Sequence, residues 1–66
     1  MNQQPDRLIE LIIKHDGREI HRSVNWTDAY RFLHDRQPQS VSYAIRFSGY
    51  SIVEVYQSGR TRIAKG

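Results

Sequence analysis

The chain contains no cysteine. Disulfides and thiolate zinc sites are excluded, and with them the staples that small domains often add. The absence fits a reducing compartment. No apolar run approaches the roughly 20 residues of a membrane-spanning helix; the longest is Leu11-Ile12-Ile13. Met1-Asn2-Gln3-Gln4-Pro5 is polar and lacks the apolar core of a signal peptide. A soluble cytoplasmic protein is expected. There are no internal repeats, low-complexity tracts or linkers, and no Gly-rich phosphate loop. The four glycines (Gly17, Gly49, Gly59, Gly66) stand at turns or at the end of the chain.

A chain of 66 residues is expected to form one domain over 1–66, with residues 1–6 as a loose N-terminal end. At this length only about 60% of the unfolded surface is buried, which leaves a thin stability margin and makes self-association a reading to keep. The charge is unevenly placed. Residues 1–40 carry six basic and six acidic side chains, summing to zero, whereas 41–66 carry Arg46, Arg60, Arg62 and Lys65 against Glu54 alone, which is the whole net charge of +3. A local basic excess suits an anionic partner.

Leu8 to Lys14 is rich in β-branched residues, and Asp16-Gly17 follows as a type I′ hairpin signal. A two-residue loop sets His15 opposite Arg18, Lys14 opposite Glu19, Ile13 opposite Ile20, Ile12 opposite His21 and Ile9 opposite Val24. Ile9, Leu11, Ile13, Ile20 and Val24 then share the core face, with Arg22 as the flaw in that face. Asn25 suits the N-cap of a helix whose first turn carries Asp28 and whose apolar stripe is Trp26, Ala29, Tyr30 and Leu33. Phe32 lies off the stripe and is expected at a sheet edge. Pro38 stops the helix near Asp35–Gln37.

From Ser40 onward the chain alternates. Val41, Tyr43, Ile45 and Phe47 are expected to face the helix from a strand, joined through Ser48-Gly49-Tyr50 to a strand over 51–56 with Val53 and Val55 on the same face. Arg60-Thr61-Arg62-Ile63 adds a short last strand. The expected fold is α+β, an antiparallel sheet of four to five strands with one helix packed on one face, in the order β-β-α-β-β-(β). The open face would then show Ser42, Ala44, Arg46, Ile52, Glu54 and Tyr56.

Catalytic chemistry finds little footing here. His15 and His21 fall on opposite faces of the hairpin, so no metal site is expected. The serines lie in no nucleophile-elbow motif, and the acids are scattered singly. The chain is expected not to be an enzyme and to need no cofactor. Arg46, Tyr50, Tyr56, Arg60, Arg62 and Lys65 are the candidate binding residues, since arginines contact phosphates and exposed aromatics stack on bases or anchor protein interfaces.

The segments "REIHRSVNWTDAYRFL" and "VSYAIRFSGYSIVEVYQSGRTRI" give the chain a layout that resembles the small β-β-α-β-β proteins of phages and mobile elements, including anti-CRISPR proteins of this size. The likeness covers about residues 8–63 and carries over no functional residue. It implies a non-enzymatic inhibitor in the cytoplasm of a bacterial host, docking on a nucleic-acid-handling protein or ribonucleoprotein. A stand-alone DNA- or RNA-binding module and a structural homodimer are the alternative expectations.

Overall fold

The computed structural model describes residues 5–64. Residues 1–4 of the expected loose end and the candidate residue Lys65 lie outside the described residues. The order is β1 (Leu8–His15), β2 (Arg18–Ser23), α1 (Trp26–Arg36), α2 (Val41–Phe47), β3 (Tyr50–Tyr56) and β4 (Thr61–Ile63). The four strands form one antiparallel sheet in the order β2-β1-β3-β4, an α+β fold. Among the described residues no helix is long and apolar enough to cross a membrane.

The first hairpin turns on Asp16 (φ 51°) and Gly17 (φ 83°), the two positive-φ positions that a type I′ turn requires. His15 pairs with Arg18 and Lys14 with Glu19, as the loop length dictates. A bulge beyond Lys14 then shifts the register, so that Ile13 meets His21, Ile12 meets Arg22 and Leu11 meets Ser23. This corrects the expected pairing. It also removes the flaw at Arg22, which leaves the core face and is held by Glu19 and Glu10 at 2.8 and 3.0 Å. Ile20 keeps its packing against the core. Ile9 and Val24 do not join it and are exposed.

Helix α1 starts at Asn25, whose side chain accepts a hydrogen bond from the Asp28 N–H at 2.8 Å. Ala29 and Leu33 are fully buried over the sheet, while Tyr30 turns outward against Trp26. Phe32 stacks on His21 of the edge strand at 4.1 Å between ring centres.

The expected strand over 41–47 is the helix α2, and the single expected helix becomes two. Ser40 caps it, its hydroxyl accepting from the Tyr43 N–H at 3.1 Å. Val41, Ala44 and Ile45, at i, i+3 and i+4, pack into the core. Gly49, at φ 76°, ends the helix in the left-handed conformation that suits a residue just past a helix C-terminus. A side chain there would run into the Asp16 carboxylate.

The faces of β3 are also the reverse of the expectation. Tyr50, Ile52 and Glu54 pair with His15, Ile13 and Leu11 on the helix-covered face, and Val53 and Val55 look outward with Ile12 and Glu10. Once 41–47 leaves the sheet, the expected hairpin through Gly49 no longer fixes the register of β3, and pairing with β1 sets it one residue over. The core consists of Leu11, Ile13, Ala29, Leu33, Ala44, Tyr50, Ile52 and Ala64.

Candidate docking surface

The basic and aromatic residues of the C-terminal part do not form one patch. Tyr50 is a core residue, 7% exposed. Its ring stacks on His15 at 4.1 Å and its hydroxyl accepts from Arg36 Nε at 3.1 Å. It is unavailable for stacking on a base, which corrects its place among the binding candidates.

Tyr56, Arg60 and Arg62 do come together, but around acids of their own chain. Tyr56 donates its hydroxyl proton to Glu54 Oε1 at 2.6 Å, and Arg62 Nε lies 3.7 Å from the same oxygen. The Arg60 guanidinium sits 4.5 Å from the centre of the Tyr56 ring and 3.3 Å from Asp6 Oδ2. Asp6, expected in the loose end, is fixed by the N–H and hydroxyl of Ser58 at 3.0 and 2.7 Å. Those two hydrogen bonds, with the nearby Arg60 charge, hold its carboxyl below the ordinary range. The hydrogen bond to Glu54 pushes the Tyr56 hydroxyl up. Arg60 and Arg62 are matched by Asp6 and Glu54, so this end of the sheet offers less free positive charge than its sequence suggests, although Arg7, exposed and bonded through its carbonyl to the Gln57 N–H, adds a cation.

Arg46 is placed differently. It is exposed on α2, beside an aromatic pair that the alternating pattern had assigned to the core. Tyr43 and Phe47, at i and i+4, pack in a tilted arrangement with ring centres 5.0 Å apart and planes at 50°. Because Val41, Ala44 and Ile45 take the buried side, both rings stand outward, Tyr43 45% and Phe47 71% exposed. No acidic residue occurs between Gln37 and Val53 in the sequence, and Asp16 comes against Gly49 just past the end of α2. The surface of α2 itself is an apolar ridge with a cation beside it. The signal that finds it in the sequence is the helical spacing of Val41, Ala44 and Ile45 after the Pro38-Gln39-Ser40 stop and cap.

One polar cluster remains. The Ser23 hydroxyl and His21 Nε2 both donate to Asp28 Oδ2, at 2.6 and 3.0 Å. A nucleophile needs its base within reach of its own proton. Here the serine proton goes to the carboxylate, and Ser23 is 1% exposed. The cluster fastens the start of α1 to β2. The Ser23 and His21 hydrogen bonds lower the Asp28 carboxyl below the ordinary range. Among the described residues no three potential ligands come together as a metal site.

Comparison with protein-family models, curated proteins and solved structures finds no match to this chain.

Proposed function

We propose that this chain is a non-enzymatic interaction protein that docks on a partner protein through α2. Tyr43 and Phe47 enter an apolar depression on the partner, and Arg46 meets an acidic rim. The observation that carries this reading is Phe47, a large apolar ring 71% exposed on a helix whose other side is anchored in the core. Burying it supplies the central apolar contact that interface anchors provide, with an arginine at the rim. A helix laid against a groove by residues at i and i+4 is a common recognition mode.

The resemblance to phage and mobile-element inhibitors suggested by the sequence, although the expected strand at 41–47 is a helix, makes a cytoplasmic nucleic-acid-handling protein or ribonucleoprotein the partner class to test first. Inhibition follows from occupying its surface. Direct DNA or RNA binding draws less support, because Arg60 and Arg62 face Asp6 and Glu54 and Tyr50 is buried.

Affinity capture with tagged protein tests the reading. Phe47→Ala should lower recovery of the partner by tenfold or more, since loss of an interface anchor costs about 2 kcal/mol, and Arg46→Glu should lower it by setting like charge against the acidic rim. Arg60→Glu with Arg62→Glu should leave recovery within about threefold, as charges outside the buried centre contribute little. The opposite ranking, or steeply salt-dependent binding of bare nucleic acid, would move the site to the C-terminal strand.

A further inference from the structure

The second face of the sheet is uncovered by either helix. Both helices contribute to the cluster that buries Leu11, Ile13 and Ile52. The residues between those positions point the other way. Strand pairing arranges them in rows across the sheet. Arg22, Ile12, Val53 and Ile63 form the central row. On one side of it lie Glu19, Lys14 and Ser51, and on the other Glu10, Val55 and Thr61. Ile63 is 66% exposed. An apolar row this open on a sheet is a surface that a partner covers.

We propose that this face binds a second copy of the chain, sheet on sheet, about a twofold axis running along the row Arg22–Ile12–Val53–Ile63. The charge pattern selects the occupant. The face carries Glu10 and Glu19 against Lys14 and Arg22, a sum of zero, although the chain as a whole is +3. Two copies meeting here face no net repulsion across the contact. Rotation about that axis keeps each strand over its own counterpart and inverts direction along the strands. Ile12, Val53 and Ile63 then lie over themselves. Lys14, two residues to one side of Ile12, comes over Glu10 of the second copy, two residues to the other side, and the reverse holds by symmetry. Packed sheets sit about 10 Å apart, a gap that a lysine and a glutamate together span. Arg22 meets its counterpart at the edge with its charge already matched by Glu19 and Glu10 at 2.8 and 3.0 Å.

The edges of the sheet argue against the other mode of self-pairing. The outward backbone groups of β4 belong to Thr61 and Ile63, because Arg62 pairs inward with Glu54. Extending the sheet through β4 about Arg62 would set the two Arg62 side chains about 5 Å apart at their Cβ atoms, a closer like-charge pair than Arg22 with its counterpart across sheets about 10 Å apart. Four strands of about five residues present roughly 19 by 17 Å, about 320 Å² per copy, which is well below the size of standard interfaces. The dimer is accordingly weak and reversible, and forms toward the upper end of the micromolar range.

Sedimentation velocity of the purified chain from about 5 to 500 µM, a span bracketing micromolar association, tests the proposal. The mass should rise from 7.8 kDa toward twice that value with concentration. Ile63→Asp, at an exposed position, should stay folded by circular dichroism and monomeric throughout. Lys14→Glu should weaken the dimer by tenfold or more. A chain that stays monomeric overturns the proposal. So does a dimer that persists in Ile63→Asp or is unaffected by Lys14→Glu. Phe47→Ala should leave the mass unchanged, which separates this face from the α2 surface.

Discussion

Asp28 shows how much a single side chain carries in so small a fold. It accepts from Ser23 and His21 and, through its N–H, joins the Asn25 cap. Its carboxyl and that of Asp6 are held below the ordinary range in the folded chain. A depressed folded value means stability that is present above about pH 4 and lost as the pH falls through the folded value. Acid unfolding should therefore begin below about pH 4, and Asp28→Asn should flatten the stability-against-pH curve in that window while lowering stability at pH 7. Urea titrations at pH 7, 5, 4 and 3 read both effects. A curve for Asp28→Asn that is parallel to wild type would contradict the assignment. At this scale the sequence is well read where a residue has a local task. Asp16-Gly17 and Asn25 are legible because a turn or a cap involves only neighbours. Tyr50 is not, because its burial depends on His15 and Arg36, 35 and 14 positions away along the chain.

Between residues and the whole chain, one helix decides the site. The segment 41–47 satisfies both periods: Val41, Tyr43, Ile45 and Phe47 alternate, and Val41, Ala44 and Ile45 repeat at helical spacing. The conflict is settled by its ends. Ser40 supplies the cap, and Gly49 supplies the left-handed exit in a space already filled by Asp16. Ser40→Ala should cost about 1 kcal/mol. Gly49→Ala should cost at least as much, because it adds a positive-φ penalty of about 1–2 kcal/mol to a steric clash. Chemical denaturation followed by far-ultraviolet circular dichroism measures both, and a neutral Gly49→Ala would show that the helix ends otherwise. The bulge at Ile20 belongs to the same scale. A single extra residue turns Arg22 from the core face to the outer face and Ser23 from the outer face to the core face, and nothing in the local sequence announces it. The α+β class, the first hairpin and the first helix were legible. The second helix and the facing of β3 were not, since each follows from which segments pair rather than from their own composition.

For the molecule as a whole, the charge imbalance of the sequence is misleading. The excess of +3 in 41–66 suggests a basic strand, yet folding sets Arg60 beside Asp6 and Arg62 beside Glu54. What remains is a division of labour between two surfaces. The α2 ridge of Tyr43, Arg46 and Phe47 lies on one side of the sheet, and the neutral row of Ile12, Val53 and Ile63 lies on the other. If both are used, the dimer carries two ridges facing away from each other and is a bivalent ligand for a repeated partner. Ile63→Asp should then lower apparent affinity for a multivalent partner and leave affinity for a single partner molecule unchanged, a difference that biolayer interferometry at high and low partner density resolves.

The most direct test of the central claim places a photoreactive phenylalanine analogue at position 47 in one preparation and at position 62 in another, followed by irradiation in lysate of the source cells. Position 47 should give one discrete protein adduct, abolished by Arg46→Glu, and position 62 no comparable adduct. An adduct that forms from position 62 and not from 47, or one that contains nucleic acid in place of protein, would contradict that claim.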